Sequence, residues 1–487
     1  MPRALVPLLA LSSLASLVAC ESAPVVIGPY TPPTEAWVVS DRAHLRDETG
    51  RVRVLRGVNA RVEGIFDVEF RDDTGRLPLE EVPALTEDDV IRMRELGLSV
   101  LRLPINWSAI EETRGTYDEA YLDRVAAVVE LCAAHEIHVL IDFHQDAYSK
   151  EIGEDGAPLW AIQPPPEMLL GGPLGDSLEM RRTSGQVARA FETFFDDSEG
   201  SVGLDLQQAF IAMAAHVAER FTDEPYVIGY DLYNEPVIDD RSLWRFHARL
   251  APAIRAVDSR HLLFFEPSGL RNLVDRSPFS PEPFADEGGV YAPHLYTLSF
   301  LDPRMELDTV TRARLEPNVA QAAREAESWD VPLFVGEWGI RPDSPGSDDY
   351  VRFMHELFDE RFVSAAVWLW QENSQGSWGF YTWDVEAEAW VEREEVVLAH
   401  ARIYAEAIAG EPTVMRYDAS ARSFELRYQG RLDLAPHVIH VPESIAAFDI
   451  ACDGRAFSPE PTRDPETGRV EIVCPGPGEH VVTIVAR

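Results

Sequence analysis

A (β/α)8 barrel of the α/β class, followed by a small C-terminal β-sandwich, is the fold this sequence predicts, and three observations predict it. Eight short apolar runs, centred near residues 55, 100, 139, 228, 263, 291, 334 and 366, alternate with helical patterns. The runs are apolar on both faces, as strands of a parallel sheet must be when helices cover one side and a packed interior the other. Beyond residue 410 the helical patterns give way to alternation (Phe424, Leu426, Tyr428; Val481, Thr483, Val485) broken by Pro and Gly, which reads as a β-sandwich.

Taken in order, Arg3 precedes an apolar run from Ala4 to Ala19 and then Cys20. That is the pattern of a secretory signal, and the run is too short to span a membrane comfortably. The ending Leu17-Val18-Ala19-Cys20 resembles a bacterial lipobox, in which Cys20 would carry the lipid. Residues 1–20 are therefore expected to be a signal peptide and 21–36, rich in Pro and small residues, a linker. The barrel is expected over 37–410 and the sandwich over 411–487. The chain is expected to be exported, as a membrane-anchored lipoprotein or a secreted protein. Its remainder has no apolar stretch long enough to cross a bilayer.

Val54 to Val58 reads as the first strand. Thr86-Glu87-Asp88-Asp89 opens a helix with a capping-box signature, and Gly97 closes it. Ser99 to Leu103 and Ile137 to Phe143 are the next strands, separated by a helix over Leu122 to Ala134. Asp146 to Ser184, with Pro164-Pro165-Pro166 and Gly171-Gly172, is a long insertion that a barrel would place over its active face. Further helices are expected over 206–221, 243–257, 319–328 and 350–361, and a final one over 389–409.

Charge excludes one large class of function. Forty-three basic residues face 83 acidic ones, a net charge of −40, so no nucleic-acid backbone is an expected partner. Lys150 is the one lysine in the chain. An acidic, lysine-poor surface fits two readings equally, salt adaptation and a preference for arginine codons. Of the cysteines, Cys132 lies in a helical pattern and reads as core. Cys452 and Cys474 are candidates for a disulfide in an oxidising compartment. No spacing suits a metal site, and no metal or organic cofactor is expected. His135 and His138 read as helix-end residues, His437 and His440 as surface.

The ends of the strands carry the chemistry in such a barrel. Here they read Arg102; Asp142-Phe143-His144-Gln145-Asp146; Tyr233-Asn234-Glu235-Pro236; His294-Leu295-Tyr296; Gly336-Glu337-Trp338-Gly339; and Trp368-Leu369-Trp370-Gln371. Glu235 and Glu337 each follow an apolar strand, three strands apart around the ring. Two facing carboxylates with tryptophan nearby are what glycosidic cleavage needs. One protonates the leaving oxygen, the other attacks or stabilises the anomeric carbon, and their environments must push their pKa values apart.

The sequence resembles clan-A glycoside hydrolases, family 5 in particular. Tyr233-Asn234-Glu235-Pro236 is similar to that family's Asn-Glu-Pro motif and Gly336-Glu337-Trp338-Gly339 to its Glu-Phe/Trp-Gly motif. The resemblance implies a retaining two-step mechanism with Glu337 as nucleophile and Glu235 as acid/base. It implies that Asn234 contacts the sugar 2-hydroxyl, Tyr296 orients Glu337, Arg102 braces it and Trp370 stacks on the sugar. Asp142-Phe143-His144-Gln145-Asp146-Ala147-Tyr148-Ser149 and Phe191-Glu192-Thr193-Phe194-Phe195 resemble runs of bacterial endoglycoceramidases, as does Pro293-His294-Leu295-Tyr296. These enzymes cut between an oligosaccharide and ceramide. Carried over, His144 and Asp146 would bind the first sugar, His294 would support the site, and the long loop would accept lipid.

Two stretches depart from that group. The loop after the first strand, Asn59-Ala60-Arg61-Val62-Glu63-Gly64, lacks its sugar-contacting lysine, and Trp368-Leu369-Trp370-Gln371-Glu372-Asn373 differs from its Tyr-Trp-Ser pattern. Of Trp378 and Trp383, one is a candidate sugar platform and the other reads as packing, and Glu372 is a candidate hydroxyl ligand. Expected partners are a glycolipid or oligosaccharide and a membrane surface. The alternatives are an exo-type glucosylceramidase or steryl-β-glucosidase, a β-glucan or mannan endo-hydrolase, and an inactive carbohydrate-binding protein. Retention of both glutamates argues against the last.

Overall fold

The computed structural model describes residues 36–70, 74–173, 178–274, 284, 286–299, 310–372, 378–431 and 435–487. The expected signal peptide, Cys20 and the linker up to residue 35 lie outside them.

Eight strands form one parallel sheet in ring order: Arg56–Asn59, Val100–Asn106, His138–His144, Val227–Asp231, Leu262–Phe265, Gly289–Tyr291, Phe334–Trp338 and Ser364–Val367. The eighth pairs with both the seventh and the first, and single bridges at Tyr291–Leu333 and Leu295–Trp338 join the sixth to the seventh. Closure is tight at Gly57, where a Cβ would sit 2.1 Å from the Val100 carbonyl oxygen.

Side chains alternate in and out along each strand. Leu55, Val100, Leu140, Leu262, Phe264, Val290, Phe334 and Ala366 form the buried interior, which Val38 and Leu45 of an N-terminal hairpin join. Their neighbours Leu101, Leu103, Val139, Ile141, Tyr230, Leu263 and Phe265 pack with the helices instead. The inward parity continues past this apolar floor. Asn59 pairs with Arg102 and Asp142 with Asp231, while Glu266 and His294 each lie two residues beyond Phe264 and Ala292. The strands thus turn from apolar to charged at one level, all at the same end.

The helices cover this sheet largely where the sequence places them: Glu87–Glu95, Glu119–Ala134, Val202–Phe221, Asp240–Arg255, Arg312–Trp329 and Ser347–Asp359. The capping box forms, with Thr86 Oγ1 accepting from the Asp89 N–H and Asp89 accepting from the Thr86 N–H.

Two expectations need correction. The final helix over 389–409 is instead a hairpin (Tyr381–Asp384 with Ala389–Glu392), a short helix Glu394–His400 and a strand Tyr404–Ile408. Ile403, Tyr404 and Ile408 are buried in the sandwich core, so strand pairing overrides the local helical pattern. That strand also moves the domain boundary. It pairs with Val52–Arg53 and His437–His440, within a six-stranded sheet that begins with Val38–Asp41 and His44–Asp47. A five-stranded sheet, from Gly410–Asp418 to Gly478–Ala486, closes over Met415, Phe424, Leu426, Ile439 and Val470. The sandwich therefore borrows residues 38–53, of which Val52 and Arg53 pair with the strand that leads into the tail.

Cys452 and Cys474 are disulfide-bonded, and Cys132 is a buried free thiol. His437 and His440 are buried, contrary to expectation. His437 Nδ1 accepts the Ala409 N–H and its ring meets Tyr428, while His440 packs on Gly97 and Gly468.

Candidate active site

Arg102 is the centre of the charged layer and fully buried. Its Nη1 donates to Glu337 Oε1 at 2.7 Å and Asn59 Oδ1 at 3.1 Å. Nη2 donates to Asn234 Oδ1 at 2.9 Å and Glu266 Oε1 at 3.0 Å, and Nε donates to Asp231 Oδ2 at 3.0 Å. Asp142 stands 3.2 Å away. Burial alone would discharge this guanidinium, but the carboxylates around it raise its pKa well above the ordinary value. Burial in turn pushes Asp142 and Asp231 up to about 6 against the pull of Arg102.

Glu337 is held by both oxygens, since Tyr296 Oη donates to Oε2 at 2.7 Å. Glu235 sits at φ +40, four residues past the end of the fourth strand. Its Oε1 lies 2.6 Å from His294 Nδ1 and accepts from Asn272 Nδ2 at 2.7 Å. Burial raises the Glu235 carboxyl, but the His294 ring beside it more than offsets this, leaving it below the ordinary value. Gly336 gives His294 its place, because a Cβ there would stand 2.9 Å from Nε2. Ligand oxygens of Glu235 and Glu337 lie within 4.8 Å of one another. That is the short spacing of retaining hydrolysis, with no room for a water between the carboxyls. These oxygens are engaged by Arg102, Tyr296, His294 and Asn272 rather than left free to gather a cation.

The structure brings Glu235, Glu337, Arg102, Asn234, His294 and Tyr296 together. His144 is adjacent, its Nδ1 against Asp142 Oδ2 at 2.5 Å. Burial, helped by Arg102, lowers it to about 3, so its ring is neutral. Asp146 pairs with Arg182 from the insertion, which outweighs burial and holds its carboxyl low. Asn234 Nδ2 donates to the Gln145 carbonyl, locking the His144-Gln145-Asp146 run to the Glu235 loop. Phe191, Phe194 and Phe195 pack behind, on Tyr148 and Tyr233.

Trp370 is a correction. It is buried, and its Nε1 donates to Asp89 Oδ1 at 3.0 Å, stapling the eighth strand to the first helix. The half-buried Trp368 occupies the expected place instead, its ring parallel to His144 at 6.0 Å with the Arg61 guanidinium 5.0 Å from its centroid. Strand alternation would put residues two apart on one face, but the eighth strand ends at Val367, and beyond it Trp368 turns to the site while Trp370 lies behind it. Trp378 is also buried, edge-on to Tyr296. Glu372 lies 3.6 Å from Arg61, which also pairs with Glu80 and Glu154. Trp383 pairs with Trp390 across the hairpin and lines a groove of about 1030 Å³ with Phe66, Phe70, Tyr117 and Lys150.

Sequence reasoning passed over Glu266, Asn272 and Arg61. Glu266 had a signal, since it follows the fifth strand directly, at the same end of the barrel as Glu235 and Glu337. Asn272 had none.

Comparison with known proteins agrees with this geometry. Residues 80–374 match the family described as Cellulase (glycosyl hydrolase family 5), and 402–485 match the Glycoside hydrolase family 5 C-terminal domain. Endoglycoceramidase I of Rhodococcus hoagii (strain 103S) is 29% identical over 486 residues, covering 94% of this chain and 87% of that one. A solved lactosyl-enzyme intermediate of endo-glycoceramidase II from Rhodococcus sp. superposes with TM-score 0.74 at 26% identity, covering 91% of this chain and all of that one (100%). A solved endogalactoceramidase gives TM-score 0.74 at 27% identity over 92% of this chain and 100% of its own.

Proposed function

Because the chain belongs to glycoside hydrolase family 5, a family of retaining glycosidases, we propose that it cleaves the β-glycosidic bond joining an oligosaccharide to ceramide. Glu337 attacks the anomeric carbon, held in line by Arg102 and Tyr296, and a covalent glycosyl-enzyme forms. Glu235 protonates the departing oxygen and then takes a proton from the water that releases the sugar. Asn234, oriented by Arg102, faces the 2-hydroxyl, and Trp368 supplies the ring face beneath the sugar.

The observation that carries the lipid half of the reading is a set of exposed apolar side chains on loops at the Glu235 end. Met168 (62% exposed), Leu169 (45%) and Met180 (70%) stand on the insertion, Val237 (47%) follows Glu235, and Leu270 (45%) neighbours Asn272. The leaving group departs on the side of the acid, so a lipid aglycone is the occupant these residues favour. The endoglycoceramidase relatives support the same substrate.

The test offers the mature protein glycosphingolipids, glucosylceramide, and soluble β-glucan and mannan oligosaccharides in detergent, with products read by mass spectrometry. Intact oligosaccharide plus ceramide is the expected result. Release of glucose from glucosylceramide alone would make it an exo-type enzyme, and shortening of the soluble chains alone would overturn the lipid assignment.

We further propose export and tethering through Cys20. The N-terminal pattern supports this, as does the Cys452–Cys474 disulfide, a bond of oxidising compartments. Among the described residues no helix is long and apolar enough to cross a membrane, so attachment would rest on the lipid. Cys20→Ala should then move the protein from the membrane to the soluble fraction; unchanged fractionation would refute tethering.

A further inference from the structure

Glu266 is buried and touches the Glu235 backbone, Arg102 and the His294 ring. Its Oε2 accepts the backbone N–H of Glu235 at 2.9 Å. Its Oε1 accepts from Arg102 at 3.0 Å and lies 3.2 Å from His294 Nε2, whose Nδ1 meets Glu235 Oε1 at 2.6 Å. One imidazole therefore faces two carboxyls, hydrogen-bonded to Glu235 at Nδ1 and ion-paired with Glu266 on the Nε2 side. We propose that Glu266 is a positioning residue of the acid/base pair, holding through His294 the proton that Glu235 delivers to the leaving oxygen.

Against burial, the carboxylates of Glu266, Glu337 and Glu235 raise the His294 pKa well above its ordinary value, so the ring is an imidazolium whose Nδ1–H faces Glu235 and whose Nε2–H points to the Glu266 side. Transfer of the Nδ1 proton to Glu235 Oε1 breaks that N–H bond, forms the O–H bond and leaves a neutral ring that keeps its Nε2–H. One proton is shifted, and no electrons are exchanged. Burial pushes Glu266 up to about 8, against the pull of His294, whereas Glu235 is lowered. The resting proton is thus stored on the buried side, away from solvent at the mouth. The other charged groups facing the line are Arg102 on the second strand, Asp142 on the third, Asp231 on the fourth and Glu337 on the seventh. Asp146 and Arg182 act on Glu235 from the insertion side.

The inference rests on Glu235 as acid/base, and its test contains no ceramide. Glu266→Gln, Glu266→Asp and Glu235→Ala are compared on one β-glycoside series sharing a sugar, with dinitrophenyl and alkyl leaving groups. In Glu266→Gln the alkaline limb of kcat/KM should fall by about one pH unit or more, since the carboxyl that favours protons on the bridge is gone. The alkyl glycoside should lose about tenfold or more and the dinitrophenyl glycoside little, with Glu266→Asp restoring part of the limb. Covalent labelling of Glu337 by a fluorosugar, at the wild-type rate, shows that the nucleophile is intact. An unmoved limb, or equal losses on both leaving groups, overturns the proposal. If Glu235→Ala itself shows no leaving-group dependence, it is the acid/base assignment that fails.

Discussion

Replacing Arg102 by methionine should destabilise the protein strongly near pH 8 and much less near pH 5. The side chain is fully buried and serves Glu337, Asn59, Asn234, Glu266 and Asp231, with Asp142 at 3.2 Å. Removing one partner of a buried ion pair costs about 3–5 kcal/mol, because the other charge stays behind unpaired. Asp142 and Asp231 show why this cost depends on pH. Burial already holds both at about 6 with Arg102 pulling them down. A carboxyl raised in the folded state contributes stability that is fully present below its unfolded value, near 4, and is lost as pH rises through the folded value. Without the guanidinium the folded values rise further, by about 1–3 units each. At about 1.4 kcal/mol per unit, counted only up to the working pH, the two groups together cost about 3–5 kcal/mol near pH 8, overlapping the pairwise figure rather than adding to it. Near pH 5 both are protonated with or without Arg102, and this part of the difference vanishes. Urea unfolding followed by tryptophan fluorescence at the two pH values reads it directly. An equal loss of stability at both would refute the electrostatic account of the layer.

Trp368→Ala should lower kcat/KM about tenfold or more with the unfolding transition unmoved, because Trp368 is half-buried at the sugar face. Trp370→Ala should do the reverse, costing about 3–5 kcal/mol of stability through the lost core volume and the lost Asp89 bond. Matching effects of the two changes would show that the tryptophans are not divided in this way. Burial lowers His437 to about 3. A base depressed on folding loses stability as pH falls from its unfolded value near 6.5 toward the folded one, so this ring alone costs about 2 kcal/mol between pH 6.5 and 5. His437→Asn keeps an acceptor for the Ala409 N–H and should move the acid unfolding midpoint downward; a parallel pH curve would count against the assignment.

The barrel was legible because its strands are continuous apolar runs of the right length, and the charged residues directly after them mark one end. Glu235 and Glu337 could be paired from their strand order alone, since ring order equals chain order in this fold. Trp370 was misassigned because Trp368 and Trp370 have the same local composition. Which of them faces the sugar is settled by the partner of the indole N–H, Asp89, some 281 positions away. The strand Tyr404–Ile408 was misread for a similar reason. Ala405 and Ala407 favour a helix locally, and only pairing with Val52–Arg53 and His437–His440 makes them a strand. His437 and His440 show the same limit, as a histidine's burial depends on whether glycines and a tyrosine elsewhere leave it a slot.

The charged layer also explains why acid chemistry sits where it does. Around one level of the barrel stand Asp142, Asp231, Glu235, Glu266 and Glu337, five carboxyls, against two cations, Arg102 and His294. Five full negative charges cannot be sustained by only two positive ones in a layer where every carboxyl but the partly exposed Glu235 is buried, so the layer lowers its energy by binding protons. The raised values of Asp142, Asp231 and Glu266 are that response. A glycosidase needs the opposite of uniform titration: one carboxyl ionised for attack and one proton at hand for the leaving oxygen. Arg102 biases the first requirement by placing its shortest bond on Glu337. His294 biases the second by linking Glu235 to Glu266, the most strongly raised of those three. Loss of either cation should therefore blur the division of labour between the two glutamates before it unfolds the barrel. Glu266→Gln, which leaves both cations in place and alters only the proton store, separates that effect from a general loss of structure.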